Sequence, residues 1–240
     1  MRAALLIPEP RPTPGSVRFH DRRFCHFAGA MARTSSADAK LPPMAERERR
    51  WGLDFDPDRL ALLELRAWKA YYRRQPARLL GLLVMVNREQ AHASWPRAVL
   101  AAVFLARAAA GFGRASGDYD RFVPDIARGY RLLGLPREVD AEEVARRELR
   151  WWVVRREIGI AAGEEAGRAI TSLYSALYRV PQESVAEAGQ LRGQAAEVRD
   201  RGATSDPDGP TGAGRDYWPE VARLLRASYR SLQRALAART

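Results

Sequence analysis

Two glutamates, Glu64 and Glu148, open a repeated motif in this chain of 240 residues. The first copy is Glu-Leu-Arg-Ala-Trp and the second is Glu-Leu-Arg-Trp-Trp. In both copies the glutamate falls, at helical spacing, on an apolar stripe where a hydrophobic residue would be expected. A carboxylate there must be paired, hydrogen-bonded, protonated or bound to a metal, because burying a bare charge costs several kcal/mol. The two glutamates are therefore the sharpest chemical feature of the sequence.

Two roles are open for this pair of carboxylates. In a structural role, indole N–H groups and abundant arginines such as Arg155 satisfy the carboxylate oxygens, and the arginine-rich composition favours this role. In a functional role, an internal duplication brings both carboxylates towards a pseudo-twofold axis, where they line a ligand pocket or bind a cation. The ligand-binding residues predicted for the functional role are Glu64, Trp68, Tyr71, Glu148, Trp152 and Arg155.

A metal hypothesis adds Glu89 and His92, which form a Glu-x-x-His pattern. Di-iron helical bundles take a Glu from each of two helices and a Glu-x-x-His from each of two others. Glu64, then Glu89 with His92, then Glu148 follow that order, but no second Glu-x-x-His exists. The sequence therefore supports no complete di-iron site and assigns no cofactor. The metal ligands under this hypothesis are Glu64, Glu89, His92 and Glu148.

Other catalytic signatures are absent from the sequence. It contains no Gly-x-x-x-x-Gly-Lys phosphate loop, no Gly-x-Gly-x-x-Gly and no Gly-x-Ser-x-Gly elbow. The single cysteine, Cys25, excludes an internal disulfide framework. The segment from Asp206 to Gly209 lacks the closing acidic ligands of a calcium loop, which favours a Pro/Gly turn.

Apolar residues at three- and four-residue steps predict eight helices of about 12 to 18 residues. The first begins at Asp56 and Pro57, because Asp56 can cap the helix and proline fits the first turn. Asp140 is predicted to cap the fifth helix in the same way. The sixth helix is predicted over Arg168–Tyr178.

The second half of the chain repeats landmarks of the first in the same order. Ser184 is predicted to cap a helix as Ser94 does, and Pro219 opens a helix as Pro124 does. Together with the repeated glutamate motif, these landmarks predict an internal duplication.

The apolar spacing also predicts which helix faces point inward. In the Ala-rich third helix the predicted inward residues are Leu100, Val103, Phe104 and Ala108. In the seventh helix they are Val185, Ala188, Leu191, Ala195 and Val198.

The predicted fold class is all-α, a helical bundle built from two duplicated four-helix units. Residues 1–43 are rich in proline and lack an apolar period, which predicts a disordered head or a mis-assigned gene start. Residues 44–138 would form the first helical unit, and residues 139–240 the second, packed on the first.

The net charge of +11 comes almost wholly from arginine, since Lys40 and Lys69 are the only lysines. The arginines are spread over every predicted helix among acidic residues, which indicates a solvated mixed surface rather than a nucleic-acid-binding patch. The longest apolar run, residues 98–113, is broken by Arg107 and is shorter than the roughly 20 residues of a membrane span.

The composition and the lack of a secretory signal predict a cytoplasmic protein with no membrane span. The favoured function is binding, either of a protein partner or of a small ligand held between the two halves. One alternative is a helical metal- or small-molecule-dependent enzyme that uses the inward carboxylates. A second is sequence-independent binding of a polyanion, which rests on charge alone. The sequence does not define the oligomeric state.

Overall fold

The computed structural model describes residues 51–204 and 217–238. Over these ranges the chain forms eight α-helices and two short 3-10 helices, with no strand. The predicted all-α class is therefore confirmed. The predicted head, residues 1–43, and the predicted turn from Asp206 to Gly209 lie outside the described residues.

The helices follow one another with short connections. The first four are α1 (Pro57–Tyr72), α2 (Pro76–Ala91), α3 (Trp95–Arg114) and α4 (Val123–Leu132). The last four are α5 (Ala141–Ile158), α6 (Gly163–Tyr178), α7 (Gln182–Thr204) and α8 (Trp218–Ala237). The 3-10 helices are Tyr119–Phe122 and Gly159–Ala161.

Two helix starts follow the predicted capping chemistry. The Asp56 side chain accepts hydrogen bonds from the backbone N–H groups of Asp58 and Arg59, at 2.9 and 3.1 Å. The Asp140 side chain accepts from the backbone N–H of Glu142, at 2.9 Å. Each carboxylate satisfies amide groups that have no partner inside the helix, and its charge complements the helix dipole.

Two other predicted helix starts need correction, and a third is right in position but lacks its predicted capping hydrogen bond. Helix α6 begins at Gly163 rather than at Arg168, because Glu164 and Glu165 favour the positive end of the helix. Helix α7 begins at Gln182, so Ser184 lies inside its first turn and is not the cap. Ser94 stands at the N-cap of α3, but its side chain makes no capping hydrogen bond.

The helices pack as a closed ring. Each helix packs against the helices that precede and follow it in sequence, and α8 packs against α1. The first four helices meet the last four at two places in this ring, between α4 and α5 and between α8 and α1. Side chains that point inward from all eight helices can therefore meet in a shared interior.

Helices α6 and α7 approach so closely that their backbones touch. A Cβ atom added at Gly193 would collide with the carbonyl oxygen of Gly163 and would lie 2.6 Å from the backbone nitrogen of Gly167. A Cβ atom at Gly189 would lie 2.7 Å from the backbone nitrogen of Thr171. These glycines let α7 sit against α6 without side chains between them, which fixes the direction in which its neighbouring arginines point.

Helix α3 buries a face that shares Ala108 with the predicted one but not Leu100 or Val103. Leu100 and Val103, which were predicted to point inward, are exposed. The buried residues of the helix are Ala98, Ala101, Ala102, Leu105, Ala108, Ala109 and Phe112. Because α3 is apolar on most sides, the apolar spacing does not select a face, and the alanines are buried because they allow neighbouring helices to approach.

By length and composition alone, α3 is the one helix in the described ranges that could cross a membrane, with a mean hydropathy of 1.3. A partly buried core helix passes the same test, and α3 packs against both α2 and α4. The result gives no clear membrane span.

Candidate functional site

The interior of the ring contains ionised side chains. The buried charged residues are Glu64, Glu148, Arg155, Arg192 and Arg199. The mostly buried Asp200 adds a third carboxylate. Among the residues that the structure describes, three buried or mostly buried carboxylates thus lie in the same interior as three buried guanidinium groups.

Glu64 on α1 is held by residues of the last two helices. Its Oε1 atom accepts a hydrogen bond from Arg192 on α7, and its Oε2 atom accepts one from the Tyr229 hydroxyl on α8. Burial alone would lower the pKa of Arg192, but the negative charge of Glu64 outweighs it and holds that pKa well above its ordinary value. Burial and the charge of Glu64 raise the pKa of Tyr229, which keeps its hydroxyl protonated as a donor.

Glu148 on α5 is held by hydroxyl and indole donors. Its Oε2 atom accepts from the Tyr130 hydroxyl at 2.9 Å. Its Oε1 atom accepts from the indole nitrogens of Trp151 and Trp152, at 3.3 and 3.1 Å. The Arg192 guanidinium lies 5.4 Å from the Trp151 ring centroid, so the surroundings of Glu148 adjoin those of Glu64.

A second ionic cluster lies around Asp200 on α7. Arg155 on α5 donates to both carboxylate oxygens of Asp200, at 2.7 and 2.5 Å, and also to the Tyr72 hydroxyl at 3.0 Å. Arg199 donates to Asp200 at 2.9 Å, and its guanidinium lies 3.1 Å from the centroid of the Tyr72 ring. Burial opposes ionisation of Asp200, but Arg155 and Arg199 lower its pKa below the ordinary value.

The two clusters form a polar column because their residues repeat at helical spacing. On α1 the column contains Glu64 and Tyr72, two turns apart, and on α7 it contains Arg192 and Arg199, also two turns apart. Glu148 and Arg155 have the same separation on α5. Three helices that are not adjacent in the ring are thereby joined by hydrogen bonds between side chains.

The residues predicted to bind a ligand have different positions in this interior. Glu64, Trp68, Glu148, Trp152 and Arg155 are buried. Tyr71 is only partly buried and packs on Tyr72, with 4.9 Å between the ring centroids.

Glu89 and His92, proposed above as metal ligands, bind the segment before α1. Glu89 accepts from the backbone N–H of Asp56 at 3.2 Å and pairs with Arg59 at 3.0 Å. The exposed His92 has its Nε2 atom 2.5 Å from the backbone oxygen of Asp54. Within residues 51–204 and 217–238, no three His, Cys, Asp or Glu side chains are arranged to hold a metal. The structure therefore does not bring Glu64, Glu89, His92 and Glu148 together as one metal-binding group.

Sequence reasoning missed the arginines of α7. Leu191 and Val198 were predicted to point inward, but the fully buried positions belong to Arg192 and Arg199, one residue further on. The signal was present, since Val185, Ala188, Arg192, Ala195 and Arg199 follow the same three- and four-residue steps. An arginine on the buried stripe of one helix can compensate the charge of a buried glutamate on another, as Arg192 does for Glu64.

The buried donors that this network does not use include the indole N–H of Trp68. The indole nitrogen of Trp68 is buried and has no hydrogen-bond partner among the described residues. Trp68 lies one turn beyond Glu64 on α1, just as Trp152 lies one turn beyond Glu148 on α5. Trp152 donates to its glutamate, whereas both oxygens of Glu64 accept from Arg192 and Tyr229 instead.

Comparison of the chain with protein-family models, with curated proteins and with solved structures finds no match. What its site can do has to be inferred from the residues themselves.

Proposed function

We propose that the protein binds a small neutral molecule inside its ring of helices, between the first four helices and the last four. The observation that carries this proposal is the indole nitrogen of Trp68, a buried donor with no partner among the described residues. A buried donor without an acceptor costs about 1–3 kcal/mol, so an acceptor that reaches it stabilises the folded protein. A ligand oxygen that accepts from Trp68 would remove this cost.

The position of Trp68 follows from a duplicated architecture, residues 44–138 and 139–240, which we include in the proposal. Tyr130 of the first half donates to Glu148 of the second, and Tyr229 of the second half donates to Glu64 of the first. This reciprocal exchange supports two related units with the two glutamates at their junctions. Trp68 lies at one junction, so a molecule bound there lies between the halves.

The chemistry of the ligand follows from the donor and from its burial. A charged ligand would have to leave water to reach Trp68, which is only 2% exposed, and this costs several kcal/mol unless the charge is paired there. A neutral molecule with a carbonyl or hydroxyl oxygen fits the indole donor without that cost. A metal-dependent reaction has less support, since both oxygens of Glu64 and both of Glu148 already accept hydrogen bonds.

The test uses a pair of matched variants. Native mass spectrometry of the purified full-length protein should show a small molecule bound non-covalently. Trp68→Phe removes the donor while keeping an aromatic ring, and should lose this molecule. Trp152→Phe removes a donor that is already used by Glu148, and should retain it. A wild-type protein without a bound molecule, or a Trp68→Phe variant that keeps it, would refute the proposal.

A further inference from the structure

The outer face of α3 is an exposed apolar surface. Its residues Trp95, Val99, Leu100 and Val103 are 56%, 42%, 49% and 44% exposed. Isolated apolar residues on a surface are ordinary, but these four lie at helical spacing and form one continuous strip. We call this strip of four residues the α3 strip.

Arginines frame the α3 strip at both ends. The Arg88 guanidinium lies 4.2 Å from the centroid of the Trp95 ring. At the other end, Arg107 and Arg128 lie 5.3 and 4.8 Å from the centroid of the Phe104 ring. Helix α3 itself contains three arginines and no acidic residue. Asp125 pairs with Arg107, but the combined character of the surface is apolar and basic.

We propose that the α3 strip docks on an anionic lipid membrane, with α3 lying in the plane of the interface. The apolar side chains would enter the boundary between headgroups and acyl chains, while the arginines contact lipid phosphates. Tryptophan favours this depth, because its ring is apolar and its N–H is polar. The opposite face of α3 is buried against the bundle, so the helix lies on the membrane and does not cross it.

The size and shape of the surface favour a lipid over a protein partner. A stable protein interface involves roughly 20–30 residues on each side, whereas the α3 strip has four residues and a few arginines around it. A membrane needs no shape complementarity, and its charge is complementary to the arginines.

The first test is co-sedimentation of the full-length protein with vesicles. Vesicles of equal parts phosphatidylcholine and phosphatidylglycerol should bind the protein, and vesicles of phosphatidylcholine alone should bind it at least about tenfold more weakly. Raising the salt concentration should weaken binding, because it screens the arginines. Equal binding to both vesicle types, or no binding to either, would overturn the proposal.

Matched variants assign the binding to the α3 strip. Replacing Val99, Leu100 and Val103 together by Gln should weaken binding to the anionic vesicles by at least about tenfold. Leu62→Gln changes an apolar residue of similar exposure on α1 and should leave binding unchanged. Circular dichroism should show both variants folded. Equal loss of binding in both variants would overturn the assignment. A wild-type dimer that the triple substitution converts to a monomer would also overturn it, because the α3 strip would then be an interface between two copies of the chain.

Trp95 provides a second, direct readout. The other five tryptophans are between 0% and 7% exposed, so an aqueous quencher acts mainly on Trp95. Anionic vesicles should protect Trp95 from acrylamide and shift its emission to shorter wavelength. Vesicle binding that leaves Trp95 open to the quencher would place the contact elsewhere and refute the proposal. The proposal does not depend on a ligand inside the ring.

Discussion

The carboxylate of Glu64 pairs with the guanidinium of Arg192, which lies 128 residues further along the chain, and both side chains are 1% exposed. Their helices, α1 and α7, are not neighbours in the ring. The pair therefore joins the first half of the chain to the second through the interior. A buried ion pair contributes little stability relative to a well-packed apolar pair, but breaking it leaves a charge without compensation.

The first prediction follows from this asymmetry. Glu64→Gln should lower the free energy of unfolding by about 3–5 kcal/mol, because it leaves the buried charge of Arg192 uncompensated. Arg192→Met should have a similar cost. The double variant should lose much less than the sum of the two, since it removes both charges. Urea denaturation of the four proteins measures the coupling.

Two results would contradict the prediction. Additive effects would show that Glu64 and Arg192 do not interact in the folded protein. If Glu64→Gln lowered the free energy of unfolding by less than about 1 kcal/mol, the pair would behave as an ion pair exposed to solvent rather than a buried one.

The sequence predicted some parts of this interior and missed others for physical reasons. Glu64 and Glu148 could be found because a carboxylate on an apolar stripe is conspicuous. Their partners could not be assigned, because Arg192 and Tyr229 reach Glu64 from helices far along the chain. Local spacing defines a face of each helix but does not say which faces meet.

Helix faces were hardest to predict where composition is uniform. The alanines and valines of α3 repeat so densely that several faces are equally apolar, and the buried face was decided by how closely α2 and α4 approach. Helix starts were easier to predict where an aspartate caps the helix, as Asp56 and Asp140 do. They were harder to predict where the start depends on packing against another helix, as at Gly163.

The second prediction compares two tryptophans on corresponding turns. Trp152→Phe removes a hydrogen bond to the buried carboxylate of Glu148 and should cost about 1.5–3 kcal/mol of stability. Trp68→Phe removes a donor without a partner among the described residues, so in ligand-free protein its cost should be smaller. Thermal unfolding of both variants after removal of any bound molecule tests this order. An equal or larger loss for Trp68→Phe would show that its indole nitrogen is already satisfied.

The third prediction concerns the contact between α6 and α7. Gly193→Ala should destabilise the protein by about 1–3 kcal/mol or more, because the new methyl group would meet the backbone of Gly163 and Gly167, which cannot move aside as a side chain can. Gly81→Ala is the control, since Gly81 is at an exposed position of α2 and no atom lies within 4 Å of its added Cβ. That change should stabilise the protein by about 0.5–1 kcal/mol.

Melting temperatures of the two glycine variants should therefore move in opposite directions. If Gly193→Ala melts at the wild-type temperature or above it, the helices do not approach as closely as the structure shows.

The last prediction concerns acid stability and the Asp200 cluster. In the folded protein Arg155 and Arg199 hold the pKa of Asp200 below its ordinary value of 3.8, despite burial. An unfolded chain therefore takes up a proton at Asp200 at a higher pH than the folded protein does. The stability contributed by the ionised carboxylate is present above about pH 4 and is lost as the pH falls through the folded pKa.

Asp200→Asn separates this contribution from the other acidic groups. At neutral pH the variant should be less stable by about 3–5 kcal/mol, because Arg155 loses the charge of its buried partner. As the pH falls from about 4 through the lowered pKa of the folded protein, the wild-type carboxyl becomes protonated and neutral, so the two proteins should approach each other in stability. Urea denaturation at a series of pH values measures the difference directly. A difference that stays constant down to the acid limit would mean that the charge of Asp200 does not stabilise the folded protein.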